Sequence, residues 1–207
     1  MKQMKKILIG ALVAATLSPF ATTAFAADSL KIGFSNRTMN GAFFNAMNEY
    51  MKVHTKEHGY EYISTDARGD LTKQISDVED MLSQGIDYLV LNPQDPEAGL
   101  RIAKSAERKG IPVVVLDSGI PLSAPVLTRV QADNQQNNIM LGEYAVDEYG
   151  SEAMNCVLVS GNQGNVVGEM RRTNFLRGVI EAQLRKYNQT KLNILSQGWG
   201  AGINKAV

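Results

Sequence analysis

The sequence predicts an α/β protein built on a doubly wound parallel sheet. Short apolar runs such as Tyr88–Leu91 and Pro112–Leu116 lack in/out alternation, as strands buried on both faces do. Amphipathic stretches of about three to four turns separate these runs, the spacing of crossover helices. Turn-forming residues punctuate the joins at Gly59, Gly85, Asn92-Pro93 and Gly110. Parallel strands joined in this way take right-handed crossovers.

Leu30 to Ser35 reads as the first strand, followed by a helix from about Gly41 to His58. Phe43, Met47, Tyr50, Met51 and His54 fall on one face of that helix, and Gly59 suits the left-handed position that ends it. Of the adjacent Phe43 and Phe44, one must point into the core. Tyr60 to Asp66 is a second strand. Asp70 is a good N-cap for the next helix, which shows Leu71, Ile75, Val78 and Leu82 at helical spacing and stops at Gly85. Tyr88 to Leu91 is a third strand. Asp95-Pro96-Glu97 then supplies an N-cap, a first-turn proline and an acid for a helix carrying Leu100, Ala103 and Ala106. Pro112 to Leu116 is a fourth strand, and Ser118 to Pro125 is a loop. Val126 to Gln131 is a strand with no requirement to lie beside the fourth. Asp133-Asn134 caps a helix containing Ile139, Met140, Tyr144 and Val146. Strand Cys156–Ser160, a loop at Gly161–Gly164, a helix across Glu169–Tyr187 and strand Leu192–Leu195 complete the pattern. This organisation predicts one α/β lobe over residues 27–125 and a partial second lobe, with the crossing segment, over 126–207.

The first residues have the order of an export signal. Lys2, Lys5 and Lys6 precede the apolar stretch Ile7–Leu17, which is too short to span a bilayer, and Ala24-Phe25-Ala26 offers a cleavage site after Ala26. Residues 1–26 are therefore expected to be removed, placing the protein in the periplasm. The whole chain balances 21 basic against 21 acidic side chains, and loss of three lysines and no acid leaves a net charge of −3. A mildly acidic chain without a basic run argues against nucleic acid as a partner. Cys156 is the only cysteine, which excludes an internal disulfide, and inside Cys156–Val159 it reads as a small core residue.

Ligands of open parallel sheets sit beyond the carboxyl ends of the strands. Here those ends are Ser35-Asn36-Arg37 with Asn40, Asp66-Ala67-Arg68, Asn92, Asp117-Ser118, Gly161–Asn165 and Gln197-Gly198-Trp199, with Phe43 and Phe44 close by. Amides, carboxylates and guanidinium groups match hydroxyls, and aromatic faces cover the C–H side of a sugar ring. Other chemistry finds less support. The turn Ser35–Gly41 lacks the glycines of a dinucleotide site, and the glycine-rich Gly198–Lys205 lacks the Gly-Lys-Ser/Thr end of a P-loop. No G-x-S-x-G elbow occurs. His54 and His58 are four apart but stand in no H-E-x-x-H motif, and Asp66/Asp70 and Asp77/Asp80 read as turn, cap and solvated-face residues. No cofactor, metal or catalytic residue is expected.

The ordered set Asn40-Gly41-Ala42-Phe43-Phe44, Gly59-Tyr60, Leu91-Asn92-Pro93, Gly110–Val113, Leu116-Asp117, Ala132-Asp133-Asn134 and Gly164–Phe175 resembles the periplasmic sugar-binding proteins of the ribose-binding type. These are receptors of ABC importers, and their core also occurs in repressors of the lactose-repressor family. A repressor would carry a DNA-binding headpiece where this chain carries an export signal. The resemblance implies the type 1 periplasmic-binding fold. It also implies a monomeric receptor that is no enzyme, takes a small sugar or polyol and docks on a membrane permease. Phe43 and Phe44 would form an aromatic wall, Asn40 would hydrogen-bond the sugar, and Asp117 would accept from two hydroxyls. Asn92 would stand at the third strand's end, and Trp199 lies near the family's second aromatic. The second-lobe arginine would be Arg171 or Arg172 by register, although an ungapped match puts Glu169 there. Gly41-Ala42 replaces an Asn-Pro of ribose binders, and Asp117-Ser118 replaces Asp-Arg. Because the family's chains run about half as long again, this chain is expected to be a truncated or partial form that by itself binds sugar weakly or not at all. Two other readings are a ligand-presenting co-receptor for a membrane sensor kinase and an exported α/β enzyme.

Overall fold

The computed structural model describes residues 29–161 and 163–199; the predicted signal at 1–26 and most of Gly198–Lys205 lie outside them. The chain runs β1 (Lys31–Asn36), α1 (Ala42–Glu57), β2 (Glu61–Asp66), α2 (Leu71–Ser83), β3 (Tyr88–Leu91), α3 (Pro96–Arg108), β4 (Val113–Leu116) and β5 (Thr128–Val130). It continues through α4 (Asn134–Tyr149), β6 (Met154–Ser160), α5 (Val166–Tyr187) and β7 (Leu192–Trp199). The first five strands form one parallel sheet in the order β2-β1-β3-β4-β5, so β5 does lie beside β4. β6 and β7 form a second, two-stranded parallel sheet. This is the α/β parallel-sheet architecture that the alternation of runs predicts.

The helices start where the caps place them. Asp70, Asp95, Asp133 and Asn165 each accept a hydrogen bond from the backbone N–H three residues on, at 2.8 to 2.9 Å. Such caps are worth about 1 kcal/mol each. On one face of the large sheet, Val78, Met81 and Leu82 of α2 and Ile102, Ala103 and Ala106 of α3 pack with Leu89, Leu91, Val113 and Val115.

On the opposite face, the buried residues of α1 are Phe44, Asn48 and Thr55, not the Phe43–Met47–Tyr50 stripe. Phe43 is 57% and Tyr50 68% exposed. The helix is turned so that Asn48 Oδ1 accepts the Tyr62 hydroxyl proton at 2.9 Å, a satisfied polar contact that apolar periodicity cannot register.

In the smaller unit α4 and α5 lie backbone to backbone. A Cβ built at Gly142 would stand 2.4 Å from the Phe175 carbonyl oxygen, and one at Gly178 would stand 2.3 Å from that of Ile139. Only glycine permits this approach. Val146, Met154, Val179 and Ala182 form the core beside it, whereas Met140 and Tyr144 of α4 are exposed. Among the described residues no helix is long and apolar enough to cross a membrane.

Candidate functional site

The carboxyl end of the large sheet is built on a layer of buried amides. Gln74, fully buried on α2, donates to the Ser35 hydroxyl at 3.2 Å and to the Asn92 carbonyl at 2.9 Å, and accepts from the Gln94 N–H at 2.8 Å. Asn92 Nδ2 donates to Asn36 Oδ1 at 3.2 Å, and Asn36 Nδ2 donates to the Phe44 carbonyl at 3.3 Å. One chain of bonds thus ties α2, β3 and β1 to the first turn of α1, which carries both phenylalanines. Their rings meet edge to face with centroids 5.3 Å apart, Phe44 buried beneath and Phe43 projecting.

Asp117 follows β4 in the left-handed region, φ 64°, which a short polar residue tolerates better than a branched one. The loop after it is braced by Arg129, whose Nη2 donates to the Pro121 carbonyl at 3.1 Å. Burial pushes the Asp117 carboxyl above the usual carboxylate range, opposed first by Arg171, then by Arg37, then by the Ser118 hydroxyl. Burial likewise pulls the Arg37 guanidinium down, with Asp117 pulling the other way. The Ser118 hydroxyl bridges the two at 3.4 Å on each side, accepting from Arg37 Nη1 and donating to Asp117 Oδ2. From the smaller unit Arg171 reaches the same place, its Nε held at 2.8 Å by Asn134 Oδ1 on α4.

These groups line a cleft of about 320 Å³ formed by Arg37, Phe43, Phe44, Asp117, Ser118, Asn165, Val167 and Arg171. That is the scale of a small-molecule site. The cleft offers an acceptor carboxylate, guanidinium donors, a hydroxyl, an amide and an aromatic wall; among the described residues that line it there is no second carboxylate, histidine or cysteine.

Of the residues singled out in the sequence, Phe43, Phe44, Asp117 and Arg171 meet in this cleft. Arg172 turns elsewhere, donating to Gln197 Oε1 at 2.7 Å. Asn92 is fully buried in the amide layer beneath. Asn40 is exposed, with its N–H on the Thr38 hydroxyl at 3.0 Å, and does not line the cleft. Trp199 pairs with Ser160 across β6 and β7, also outside the lining. Arg37, Ser118 and Asn165 line the cleft without having been singled out. Their signal was position, since all three belong to the strand-end and loop sets.

Residues 32–205 match the family described as periplasmic binding protein domain. The chain is 36% identical over 122 residues to the ribose import binding protein of Bacillus subtilis, covering 59% of this chain and 40% of that one. It is 27% identical over 199 residues to the ribose import binding protein of Haemophilus influenzae, covering 92% and 67%. Among solved structures, an ABC transporter solute binding protein from Mycobacterium smegmatis with bound glycerol superposes with a TM-score of 0.70 at 32% identity, covering 81% of this chain and 55% of that one. The chain therefore spans only part of the length of these relatives.

Proposed function

We propose, from the premise that this chain belongs to the periplasmic binding protein domain family, that it is the receptor part of an ABC importer for a small hydroxyl-rich solute, a sugar or polyol. In this reading residues 1–26 are an export signal cleaved after Ala26, and residues 27–125 and 126–207 belong to two lobes that close on the solute. The closed form docks on a membrane permease. Asp117 accepts two hydroxyl protons, Arg171 donates from the opposite lobe, and Phe43 covers the C–H face of the ring over buried Phe44. The observation that carries the reading is the convergence of Asp117, Arg37 and Arg171 beside that aromatic pair in one cleft, with side chains from both sheets' units. The named relatives, two ribose import binding proteins and a glycerol-bound solute binding protein, support the ligand class.

The test is calorimetric titration of the purified protein with pentoses, hexoses, small polyols and their oxidised, carboxylate-bearing forms. Saturable binding of at least one member, abolished in Asp117→Ala, is the expected result. Silence across the whole panel would overturn the reading.

A further inference from the structure

Three cleft residues at the carboxyl ends of β1 and β4 form a short donor–acceptor chain. Arg37 Nη1 donates to Ser118 Oγ, and Ser118 Oγ donates to Asp117 Oδ2. Both spans are 3.4 Å, longer than the about 2.7–3.0 Å of a well-made bond. Among the described residues, Arg37 and Asp117 do not touch as an ion pair; a hydroxyl oxygen stands between them.

The backbones at both ends of this chain are fixed. The Arg37 carbonyl accepts the Gly69 N–H at 2.8 Å. Asp66 Oδ1 accepts from the N–H groups of Met39 at 3.0 Å and Arg68 at 2.9 Å, which clamps the turn carrying Arg37 against the turn after β2. The Asp117 N–H donates to the Val130 carbonyl at 2.9 Å, and the Asp117 carbonyl accepts from Gln131 Nε2 at 3.3 Å. Groups held in this way lose little further freedom when a ligand arrives.

A hydroxyl fills such a bridge because it has a proton to give and lone pairs to receive with. A keto oxygen would accept from the guanidinium and offer the carboxylate nothing. An ammonium would donate to the carboxylate and repel the guanidinium. A bare CH₂ would do neither. Ser118 spans the bridge loosely, whereas a ligand hydroxyl seated at ordinary distances would make two charge-assisted bonds that polarise one another.

We infer that Arg37 and Asp117 act on one and the same ligand hydroxyl, the guanidinium donating to its oxygen and the carboxylate accepting its proton, beside the Ser118 hydroxyl. Arg37 is thereby a specificity-determining residue, and the cleft requires a free hydroxyl at one particular carbon of its solute. The inference rests on the receptor reading and narrows its ligand class.

The experiment is calorimetric titration of the purified protein with D-ribose, L-arabinose, D-galactose and myo-inositol, each beside its monodeoxy forms. For at least one of these probes, removal of one hydroxyl is expected to weaken binding to the wild-type protein at least about tenfold. The penalty for losing that same hydroxyl should fall at least about threefold in Arg37→Gln and also in Asp117→Asn, since either change empties one side of the bridge. Penalties that fall at different carbons in the two variants would show the side chains serving separate hydroxyls; they would overturn the inference and leave the receptor reading standing. So would a penalty that stays unchanged in either variant, or a wild-type protein for which no single hydroxyl matters about tenfold. Should Arg37→Gln fail to fold, Arg37→Met, which keeps the apolar stem without the donors, is read in its place. If none of the four probes binds, the inference falls; only silence across the wider panel of sugars and polyols takes the receptor reading with it.

Discussion

Replacing Gly178 by alanine tests the packing on which Arg171 depends. The added methyl carbon would stand 2.3 Å from the Ile139 carbonyl oxygen and 2.9 Å from the Ile139 Cα, where ordinary contacts begin near 3.4 Å. The obstruction is backbone, so no rotamer change relieves it. The helices must separate by about 1 Å, and gaps of that size forfeit a quarter to a half of each dispersion contact. Val146, Val179 and Ala182, all fully buried beside the crossing, would lose most. Overpacking of this kind costs about 1–3 kcal/mol, while alanine in place of a helical glycine returns about 0.5–1 kcal/mol. Mid-range values leave a net loss of about 1 kcal/mol, or about 2–4 °C in Tm for a domain of this size.

Gly142→Ala, facing the Phe175 carbonyl at 2.4 Å, should behave alike, and the double variant should lose less than the two single losses together, since one separation accommodates both methyl groups. Gly168 is the internal control. Its added carbon meets nothing nearer than the Asn165 side chain at 3.6 Å, so Gly168→Ala should leave Tm unchanged or slightly raised. Thermal melts followed by circular dichroism read all four variants. A Gly178→Ala melt indistinguishable from that of Gly168→Ala would refute the close-approach argument.

Two further outcomes separate the roles of residues in the cleft. Phe44→Ala should destabilise by about 3–5 kcal/mol because the ring is buried, whereas Phe43→Ala should shift the chemical-denaturation midpoint little and weaken ligand binding instead; the reverse pattern would show the wall assigned to the wrong ring. Asp117→Asn keeps the shape and tolerates the left-handed backbone. Since burial raises the folded-state pKa of Asp117 above its ordinary 3.8, the folded protein holds this proton more tightly than the unfolded chain. The stability from that linkage is full below the ordinary value and is lost as pH rises through the raised one. Asp117→Asn should therefore melt at or above the wild type at pH 7, with the advantage shrinking on acidification through that window, while ligand affinity falls at least about tenfold. A deficit at pH 7 that shrinks on acidification would refute the sign.

The order and type of the elements were legible because each depends on local chemistry: β-branched runs such as Val113–Val115, caps such as Asp70 and Asp95, and glycines at positive φ such as Gly59 and Gly110. The orientation of α1 was not legible. Its buried face includes Asn48, whose side-chain partner Tyr62 comes from β2, and a polar residue's burial cannot be seen until that partner is in place. The same limit applies to the site. Asp117 and the phenylalanine pair stand out by type and position, but Arg37 and Ser118 become cleft residues only when β1 and β4 are set with β3 between them. Asn92, equally polar and equally at a strand end, is drawn down to Asn36. The glycine contact between α4 and α5 was likewise hidden, since a helical glycine reads as a weakness until a second backbone is seen against it.

The amide layer running from Gln74 through Asn92 and Asn36 to the Phe44 carbonyl separates what recognises a guest from what keeps the sheet in register. Each of its three side-chain amides donates at least one hydrogen bond within the scaffold. Exchanges at Arg37, Phe43 or Ser118 can retune the cleft while this foundation stays as it is. Retargeting such a protein, by selection or by design, is thus a matter of refurnishing one storey.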